Sequence, residues 1–397
     1  MEVHKGDDSL CKQIPAMLSS FVDTFVDFSV SGLFLLPDPN PHSHSTPLQT
    51  RYPAADRLIA VGDVHGDFEK TRQSLRLAGL VDESDKWIGG STMVVQIGDV
   101  LDRGDNEIKI LYYIEKLKRE AARSGGTIIS MNGNHEIMNV EGDFRFVTKK
   151  GVKEFENWAE WYRVGNQMKT LCENLENPED PFEGIPMGFR KVRKEYCDGF
   201  RARIAALRPS GPISARFLSQ NVTVVVVGES VFVHGGLLPE HVAKPGLEEM
   251  NEEVRNWING WKGKEAPSPS YCRSRDAVVW LRRFSHEAAE MCDCSTLEHV
   301  LATIPGAKRM IMGHTIQQTG INGACEGRAI RIDVGMSKGC INGQPEVLEI
   351  IHGNSEPRIL GGNSGEYKSV VANQRRRGLG LVLPDQHGPN RQVRVKA

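Results

Sequence analysis

Short runs of apolar, mostly β-branched residues recur along the chain after residue 57. Glycine or polar residues bound most of these runs, which predicts buried β-strands. The candidate strands are residues 58–61, 93–97, 127–131, 222–227, 230–233, 309–312, 329–334 and 345–351. Helical spacing appears between several of them, as in residues 106–123, where Ile108, Leu111, Ile114 and Leu117 recur every third position among charged residues. Strands that alternate with helices predict the α/β class.

The first 56 residues follow a different pattern. Residues 21–36 are apolar but contain Asp23 and Asp27, so the segment is too short and too acidic to span a bilayer and is expected to dock on the core as a helix. A helix on a membrane surface is the weaker alternative, because such helices carry basic residues. Residues 37–53 are rich in proline and serine. They are expected to form an extended linker to the main domain.

The main domain is expected to span residues 57–361, with one helical insertion at about residues 147–216. No strand-like run occurs in the insertion, whereas charged and aromatic residues are frequent, among them Trp158, Trp161 and Tyr162. These aromatic residues could line a substrate groove, but at helical spacing they more often belong to a core. Residues 362–397 lose the apolar pattern and become basic, which predicts a flexible tail.

The overall charge gives no reason to expect nucleic acid or a membrane as a partner. The net charge is −2 over 397 residues, and no apolar run has transmembrane length. The N-terminus resembles neither a secretory signal nor a transit peptide. A soluble intracellular protein is therefore expected, in the cytosol, with the mitochondrial intermembrane space as the alternative.

The eight cysteines are scattered without a CxxC pair. Reduced thiols are expected, because a chain of this size does not need disulfides to fold. Cys292 and Cys294 are the one close pair, and the sequence leaves their redox activity open. That pair is what keeps the intermembrane space as an alternative.

Five of the predicted strands end in polar clusters that contain glycine. These clusters are GDVHG at 62–66, GDVLDRG at 98–104, GNHE at 133–136, HGG at 234–236 and GH at 313–314. In α/β sheets, loops at the carboxyl ends of the strands build the binding sites. We therefore expect the five loops to converge on one site.

The clusters supply carboxylate, amide and imidazole groups. The candidate metal ligands are Asp63, His65, Asp99, Asn134, His234 and His314. Such ligands suit manganese, iron, zinc or magnesium rather than soft metals. Six groups exceed what one tetrahedral zinc uses, but two metals that share a carboxylate could use them all. The set therefore predicts a binuclear metal site.

Each of these motifs has an ordinary explanation when it is taken alone. GDVHG could be a turn whose aspartate caps a helix, and a single His234 or His314 is more often a core or surface residue than a ligand. Arg103 alone is usually half of a surface ion pair. The occurrence of all five motifs, each after its own strand, favours the metal site.

In this order the motifs resemble the signatures of the phosphoprotein phosphatase family, within the calcineurin-like metallophosphoesterases. The resemblance covers residues 57–351 and implies a metallophosphoesterase fold, a central β-sandwich flanked by helices. It also implies two divalent metal ions per chain, with manganese expected and iron, zinc or magnesium as alternatives. Asp63, His65 and Asp99 would hold the first ion, and Asp99, Asn134, His234 and His314 would hold the second. A metal-bound water or hydroxide would then attack the phosphorus directly, without a phosphoenzyme.

The resemblance also implies catalytic residues beside the metals. His135 would protonate the departing oxygen, and Asp102 would hold the imidazole of His135 in the required tautomer. Arg103 and Asn134 would bind the substrate phosphate. A second phosphate-binding arginine is expected at Arg282, although the adjacent Arg283 could be confused with it.

Two departures separate the chain from the eukaryotic serine/threonine phosphatases. Residues 332–343, IDVGMSKGCING, replace the SAPNYC-like loop, which puts toxin sensitivity in doubt, and the gap from Glu136 to His234 is unusually long. These features are similar to those of the bacterial-like Shewanella-like phosphatases of plants, algae and some protists. Since no transit peptide is visible, the non-plastid branch is the better match.

The resemblance implies a phosphoprotein substrate, with phosphoserine and phosphothreonine as the default and phosphotyrosine as an alternative. The resemblance also allows a regulatory protein partner, whose identity the sequence does not indicate. The first rival function is hydrolysis of a small molecule such as a dinucleoside polyphosphate or a nucleotide, because a fold does not choose its substrate. The second rival function is that of a non-catalytic scaffold. Such a protein would have lost some of the ligand residues or His135, and none of them is missing from this sequence.

Overall fold

Strands and helices alternate through most of the chain, as the apolar pattern predicts. The computed structural model describes residues 8–35, 47–170, 180–351, 354–361 and 368–370. The strands are β1 (Arg51–Tyr52), β2 (Arg57–Val61), β3 (Met93–Gln96), β4 (Thr127–Ser130), β5 (Val224–Val227), β6 (Ser230–Val233), β7 (Arg309–Met312), β8 (Asn322–Ala324), β9 (Ala329–Arg331), β10 (Glu346–Ile351), β11 (Asn354–Gly361) and β12 (Lys368–Ser369). The helices are α1 (Asp8–Ser31), α2 (Phe68–Leu77), α3 (Glu107–Arg123), α4 (Asn134–Val140), α5 (Lys149–Thr170), α6 (Lys194–Leu207), α7 (Pro212–Arg216), α8 (Pro239–Ala243), α9 (Leu247–Ile258) and α10 (Cys294–Thr303).

The strands form two mixed sheets. One has the order β12-β11-β10-β2-β3-β4, with β2, β3 and β4 parallel, and the other has the order β1-β5-β6-β7-β9-β8, with β6, β7 and β9 parallel. A single hydrophobic cluster contains residues of both sheets, such as Ile59 and Val225. A bridge between Met131 and Val222 connects the ends of β4 and β5. Since β5 runs antiparallel to β6, the start of β5 lies beside the end of β6, so β4 and β6 end close to one another.

The strand predictions hold, with ends that move by one to three residues. Residues 97, 222–223 and 332–334, for example, lie outside the strands. Sequence reasoning missed β1, β8 and β12, whose two or three residues do not lie in an apolar run. It also missed β11. The segment predicted as a linker contains β1, which pairs in parallel with β5.

Helix α1 begins earlier and ends earlier than the apolar segment predicts. It covers Asp8–Ser31 and packs against α5. Arg216 of α7 forms a bidentate ion pair with Asp27, at 2.7 and 2.8 Å. The two aspartates that interrupt the apolar run therefore have different environments, because Asp27 is buried in this ion pair while Asp23 is exposed.

Helices α5, α6 and α7 lie in the region predicted as a helical insertion. Trp158 is buried in the hydrophobic core and Tyr162 stacks on it, with ring centroids 5.0 Å apart. Trp161 contacts Phe25 of α1 edge to face. These aromatic residues pack against the protein itself. The three consecutive arginines at 375–377, which contribute to the basic character of the C-terminal segment, lie outside the described residues.

The expectation of uniformly reduced thiols is wrong for one pair. Cys294 forms a disulfide with Cys325, whereas Cys292, its neighbour in the sequence, is a buried free thiol. Cys325 lies 31 residues away in the chain, so the spacing gave no signal of this pairing. Among the described helices, none combines the length and the apolar character that a membrane span requires.

Candidate active site

The loops after β2, β3, β4, β6 and β7 meet around the carboxylate of Asp99. Five residues in these loops have a left-handed backbone conformation, which is uncommon outside glycine: His65, Asp99, Asp102, Arg103 and His314, with φ between 41° and 67°. Non-glycine residues keep such conformations only where the surroundings fix them, most often at functional sites. The loop backbone is therefore shaped to present these side chains.

Asp99 brings three histidines together. Its Oδ2 lies 3.2 Å from Nε2 of His234, 3.6 Å from Nε2 of His65 and 3.9 Å from Nε2 of His135. Its Oδ1 accepts a hydrogen bond from the backbone N–H of His135 at 3.0 Å. Asp99 thus has one oxygen fixed by the backbone and one that faces a cluster of imidazoles.

In each candidate ligand histidine, one ring nitrogen lies within hydrogen-bond distance of a backbone carbonyl oxygen. Nδ1 of His65 lies 3.1 Å from the carbonyl oxygen of Leu101, and Nδ1 of His234 lies 2.9 Å from that of Ile97. Nε2 of His314 lies 3.1 Å from the carbonyl oxygen of Trp280. Such contacts fix the tautomer and leave the other nitrogen of each ring available to a cation.

The donor set fits divalent cations. Oδ1 of Asp63 is buried without a hydrogen-bond partner among the described residues, while Oδ2 accepts from the N–H of His314 at 3.1 Å. A buried carboxylate oxygen without a partner is costly unless a cation balances it. Two groups of potential ligand atoms share Asp99, and within each group the atoms lie within 4.8 Å of one another. The groups are His65, Asp99 and His135, and Asp99, His234 and His314.

The other candidate ligands lie at the same place. Asn134 is buried, and its Oδ1 lies 3.0 Å from Nε2 of His234. The first donor group contains His135, which the sequence predicts as an acid and not as a ligand, and it does not contain Asp63. All six predicted ligands are nevertheless buried in or beside the two donor groups.

His135 and Asp102 form a buried pair. Nδ1 of His135 lies 2.7 Å from Oδ2 of Asp102. Burial alone would lower the pKa of His135, but the charge of Asp99 and the hydrogen bond and charge of Asp102 raise it above its usual range. Burial likewise opposes ionisation of Asp102, but the hydrogen bond from His135 and the charges of His135 and Arg203 hold its pKa below the usual range. The imidazole is therefore oriented and can carry a proton.

The structure places both candidate phosphate-binding arginines at the edge of this cluster. The guanidinium of Arg103 lies over the ring of Phe146, 5.0 Å from its centroid, and its Nε has no hydrogen-bond partner among the described residues. Nη1 of Arg282 donates to the carbonyl oxygen of His314 at 3.0 Å. Arg283 instead faces Asp276 and Asp293, each at 3.9 Å. Of the two adjacent arginines, Arg282 is the one beside a candidate ligand.

Sequence reasoning gave no role to Glu136, the last residue of GNHE. Its buried carboxylate accepts the backbone N–H groups of Asp99, Val100, Leu101 and Gly133 at 2.7 to 3.0 Å. Glu136 therefore ties the loop after β3 to the start of α4. A glutamate at the third position of a helix is a capping signal, which the sequence did contain.

Comparisons with known proteins show which family the chain is similar to. Residues 56–318 match the sequence profile of the calcineurin-like phosphoesterases. The chain is 61% identical over 401 residues to Shewanella-like protein phosphatase 2 of Arabidopsis thaliana, with all of both chains covered. It is 30% identical over 293 residues, 73% of this chain and 69% of the relative, to Shewanella-like protein phosphatase 1 of Plasmodium berghei (strain Anka).

A solved structure shares the fold. The cold-active protein-tyrosine phosphatase of a psychrophilic Shewanella species superposes with a TM-score of 0.58 at 18% sequence identity. The match covers 85% of this chain and 86% of that one. The expected metallophosphoesterase fold is confirmed.

Proposed function

We propose that this chain, which belongs to the calcineurin-like phosphoesterase family and within it to the Shewanella-like protein phosphatases, hydrolyses phosphomonoesters on proteins with the help of divalent cations. The observation that carries the proposal is the cluster around Asp99, where two groups of metal-ligand atoms share one carboxylate beside the His135–Asp102 pair. The full-length similarity to a protein phosphatase supports a phosphoprotein as the substrate.

Two divalent cations would be held by the residues that meet in the loops. Asp63, His65 and Asp99 would hold one ion, and Asp99, Asn134, His234 and His314 the other, with manganese expected. When bound, the cations would polarise the phosphate and activate a water molecule for attack on the phosphorus. The ordinary carboxylate, amide and imidazole chemistry of these ligands supports this assignment.

The chain's own residues would bind the phosphate and supply a proton. Arg103, Arg282 and Asn134 would bind the phosphate oxygens, since guanidinium groups match them in shape and charge. With Nδ1–H donated to Asp102, the Nε2–H of His135 would point toward the departing oxygen and protonate it. Asp102 would keep the ring in that orientation.

The experiment that tests the function compares substrate classes. The wild type would be assayed with Mn²⁺ or with a chelator on phosphoserine, phosphothreonine and phosphotyrosine peptides and on a dinucleoside polyphosphate, beside Asp99→Asn. Metal-dependent turnover of a peptide that Asp99→Asn lacks is the expected result, and the preferred peptide shows which side chain the pocket accepts. Preference for the dinucleoside polyphosphate, or no turnover of any substrate, would contradict the proposal.

The same proposal assigns parts of the chain to parts of the function. Residues 57–361 would form the catalytic domain, with residues 147–216 as a cap beside the site, and residues 1–56 and 362–397 would flank it as an appended helix with a linker and as a tail. The linker and the tail each add one short strand to the domain, β1 and β12, which pair with β5 and β11. Disulfides persist mainly in oxidising compartments. The Cys294–Cys325 bond therefore favours the intermembrane space over the cytosol. Thiol labelling of the protein in a fresh cell extract, with and without reductant, would show whether this bond is present in the cell.

A further inference from the structure

A buried arginine from the insertion contacts the residues that hold His135. Arg203 lies on α6 and has no exposed surface. Its Nη2 donates to Oδ1 of Asp102 at 2.9 Å and to Oε2 of Glu107 at 2.7 Å, while Nη1 donates to Oε1 of Glu107 at 2.9 Å. Nε donates to Oδ1 of Asn139 at 2.9 Å. The guanidinium group thus links three side chains at once.

Two of these side chains, Asn139 and Glu107, also contact the third, Asp102. Asn139 donates to Oδ2 of Asp102 at 3.0 Å and to the carbonyl oxygen of His135 at 2.8 Å. Glu107 accepts the backbone N–H of Asp102 at 2.8 Å. Oδ2 of Asp102 is the oxygen that also contacts His135. Both carboxylate oxygens of Asp102 and its backbone N–H are therefore occupied within one network, which we call the Arg203 network: Arg203, Asp102, Glu107, Asn139 and His135.

Two aromatic rings also lie close to the guanidinium of Arg203. The rings of Phe155 and Phe144 flank it, with centroids 4.6 and 5.5 Å from Cζ. Asp102 and Glu107 are two fully buried carboxylates close together, and their repulsion would favour protonation of one of them if no cation were present. Arg203 is the cation that contacts both.

We propose that Arg203 is a positioning residue for the reaction: it holds Asp102 in the orientation that aims Nε2 of His135 at the departing oxygen. The inference rests on the proposed function, because it assumes that His135 protonates that oxygen. It also gives the insertion a part in the chemistry. Helix α6 supplies a group that acts through Asp102 on His135, in addition to any role in covering the site.

The test uses a series of substituted phenyl phosphates whose leaving groups differ in basicity. A nitrophenolate departs without a proton, whereas an unsubstituted phenolate benefits from one. For Arg203→Lys we expect a loss in kcat of less than about 5-fold on p-nitrophenyl phosphate and of about 100-fold on phenyl phosphate, with KM little changed. The slope of log kcat against leaving-group pKa should become steeper.

Arg201→Lys is the matched control, since Arg201 lies on the same helix, contacts the ring of Phe182 and is outside the Arg203 network. It should keep the wild-type slope. In a His135→Asn background, Arg203→Lys should add no further loss. An equal loss on all phenyl phosphates would show a merely structural role and would overturn the proposal, as would an unchanged slope.

Asn139→Ala provides a second variant in case Arg203→Lys does not fold. It removes one donor to Asp102 and the acceptor of Nε of Arg203, which loosens the contact between Arg203 and Asp102 while both charges stay paired. The slope should therefore steepen, with a loss of about 10-fold on phenyl phosphate. An Asn139→Ala enzyme with the wild-type slope would contradict the proposal. Failure of the proposed function looks different, because it shows in the wild type alone. A wild type that prefers the dinucleoside polyphosphate would contradict the protein substrate and leave the role of Arg203 to the slopes, whereas a wild type that turns over none of the phenyl phosphates with Mn²⁺ would overturn both proposals.

Discussion

A Cβ atom at Gly133 would lie 2.2 Å from Oδ1 of Asp99, well inside the contact distance of the two atoms. It would also lie 2.8 Å from Cε1 of His234. The glycine before Asn134 is therefore required by the close approach of α4 to two candidate metal ligands. No side chain fits at that position without displacing Asp99.

We predict that Gly133→Ala lowers kcat by about 100-fold, because a displacement of about 1 Å at a catalytic group has an effect of that size. The measurement is hydrolysis of p-nitrophenyl phosphate with Mn²⁺. Gly188→Ala is the control, since Gly188 is exposed and a Cβ there would have no neighbour within 4 Å. Similar activity in both variants would show that Asp99 tolerates the displacement.

The unpartnered Oδ1 of Asp63 predicts that divalent cations stabilise the folded protein. A ligand that binds only the folded state adds about 2.7 kcal/mol to the free energy of unfolding at 100 times its Kd. Mn²⁺ should therefore raise the melting temperature of the chelator-treated wild type, and Asp99→Asn should lose most of that increase. Elemental analysis should find two equivalents of metal per chain. An equal increase in the variant would place the ions elsewhere.

The candidate ligands could be predicted because they all lie in loops that follow the ends of predicted strands. Asp63, Asp99 and His314, for example, lie two or three residues past the last residues of β2, β3 and β7, so one local pattern located them. Arg203 had no such signal, since it lies 101 residues from Asp102 among other charged residues of a helix. The disulfide between Cys294 and Cys325 likewise could not be predicted from the sequence, because only the fold brings these two cysteines together.

The choice between Arg282 and Arg283 shows a further limit of sequence reasoning. The two residues are identical in type and adjacent, so no pattern separates them. In the structure Arg282 contacts His314, whereas Arg283 faces Asp276 and Asp293. Side-chain direction in an irregular segment depends on tertiary contacts that a local pattern does not contain.

The ion pair between Arg216 and Asp27 predicts how strongly α1 stabilises the main domain. Asp27 is buried and accepts two charge-assisted hydrogen bonds from Arg216, so Asp27→Asn should lower the free energy of unfolding by about 1.5 to 3 kcal/mol. Urea unfolding measures this value. The control Asp23→Asn removes an exposed pair with Lys169 and should cost less than about 1 kcal/mol. Since neither residue contacts the ligand cluster, kcat should stay at the wild-type value in both variants.

Glu154 predicts a pH dependence of stability that is independent of the metal site. Its carboxylate accepts the backbone N–H groups of Ile108 and Lys109, at 3.1 and 3.0 Å, at the start of α3. The N-cap residue of that helix, Asn106, makes no side-chain capping bond, so α5 supplies the cap instead. Burial and the nearby charge of Glu107 raise the pKa of Glu154 to about 8, from an ordinary value of 4.5.

A carboxyl group with a raised pKa binds its proton more tightly in the folded state than in the unfolded state. Its contribution to stability is therefore complete below about pH 4.5 and is lost as the pH rises through about 8, with a slope of at most about 1.4 kcal/mol per pH unit. Urea unfolding with chelator present should show that the wild type loses stability relative to Glu154→Gln between pH 5 and about 8. Glu160→Gln, which changes an exposed glutamate of the same helix, should keep the wild-type dependence. Parallel curves for the wild type and Glu154→Gln would show that Glu154 is already ionised at pH 5, and that its role is then only to cap α3.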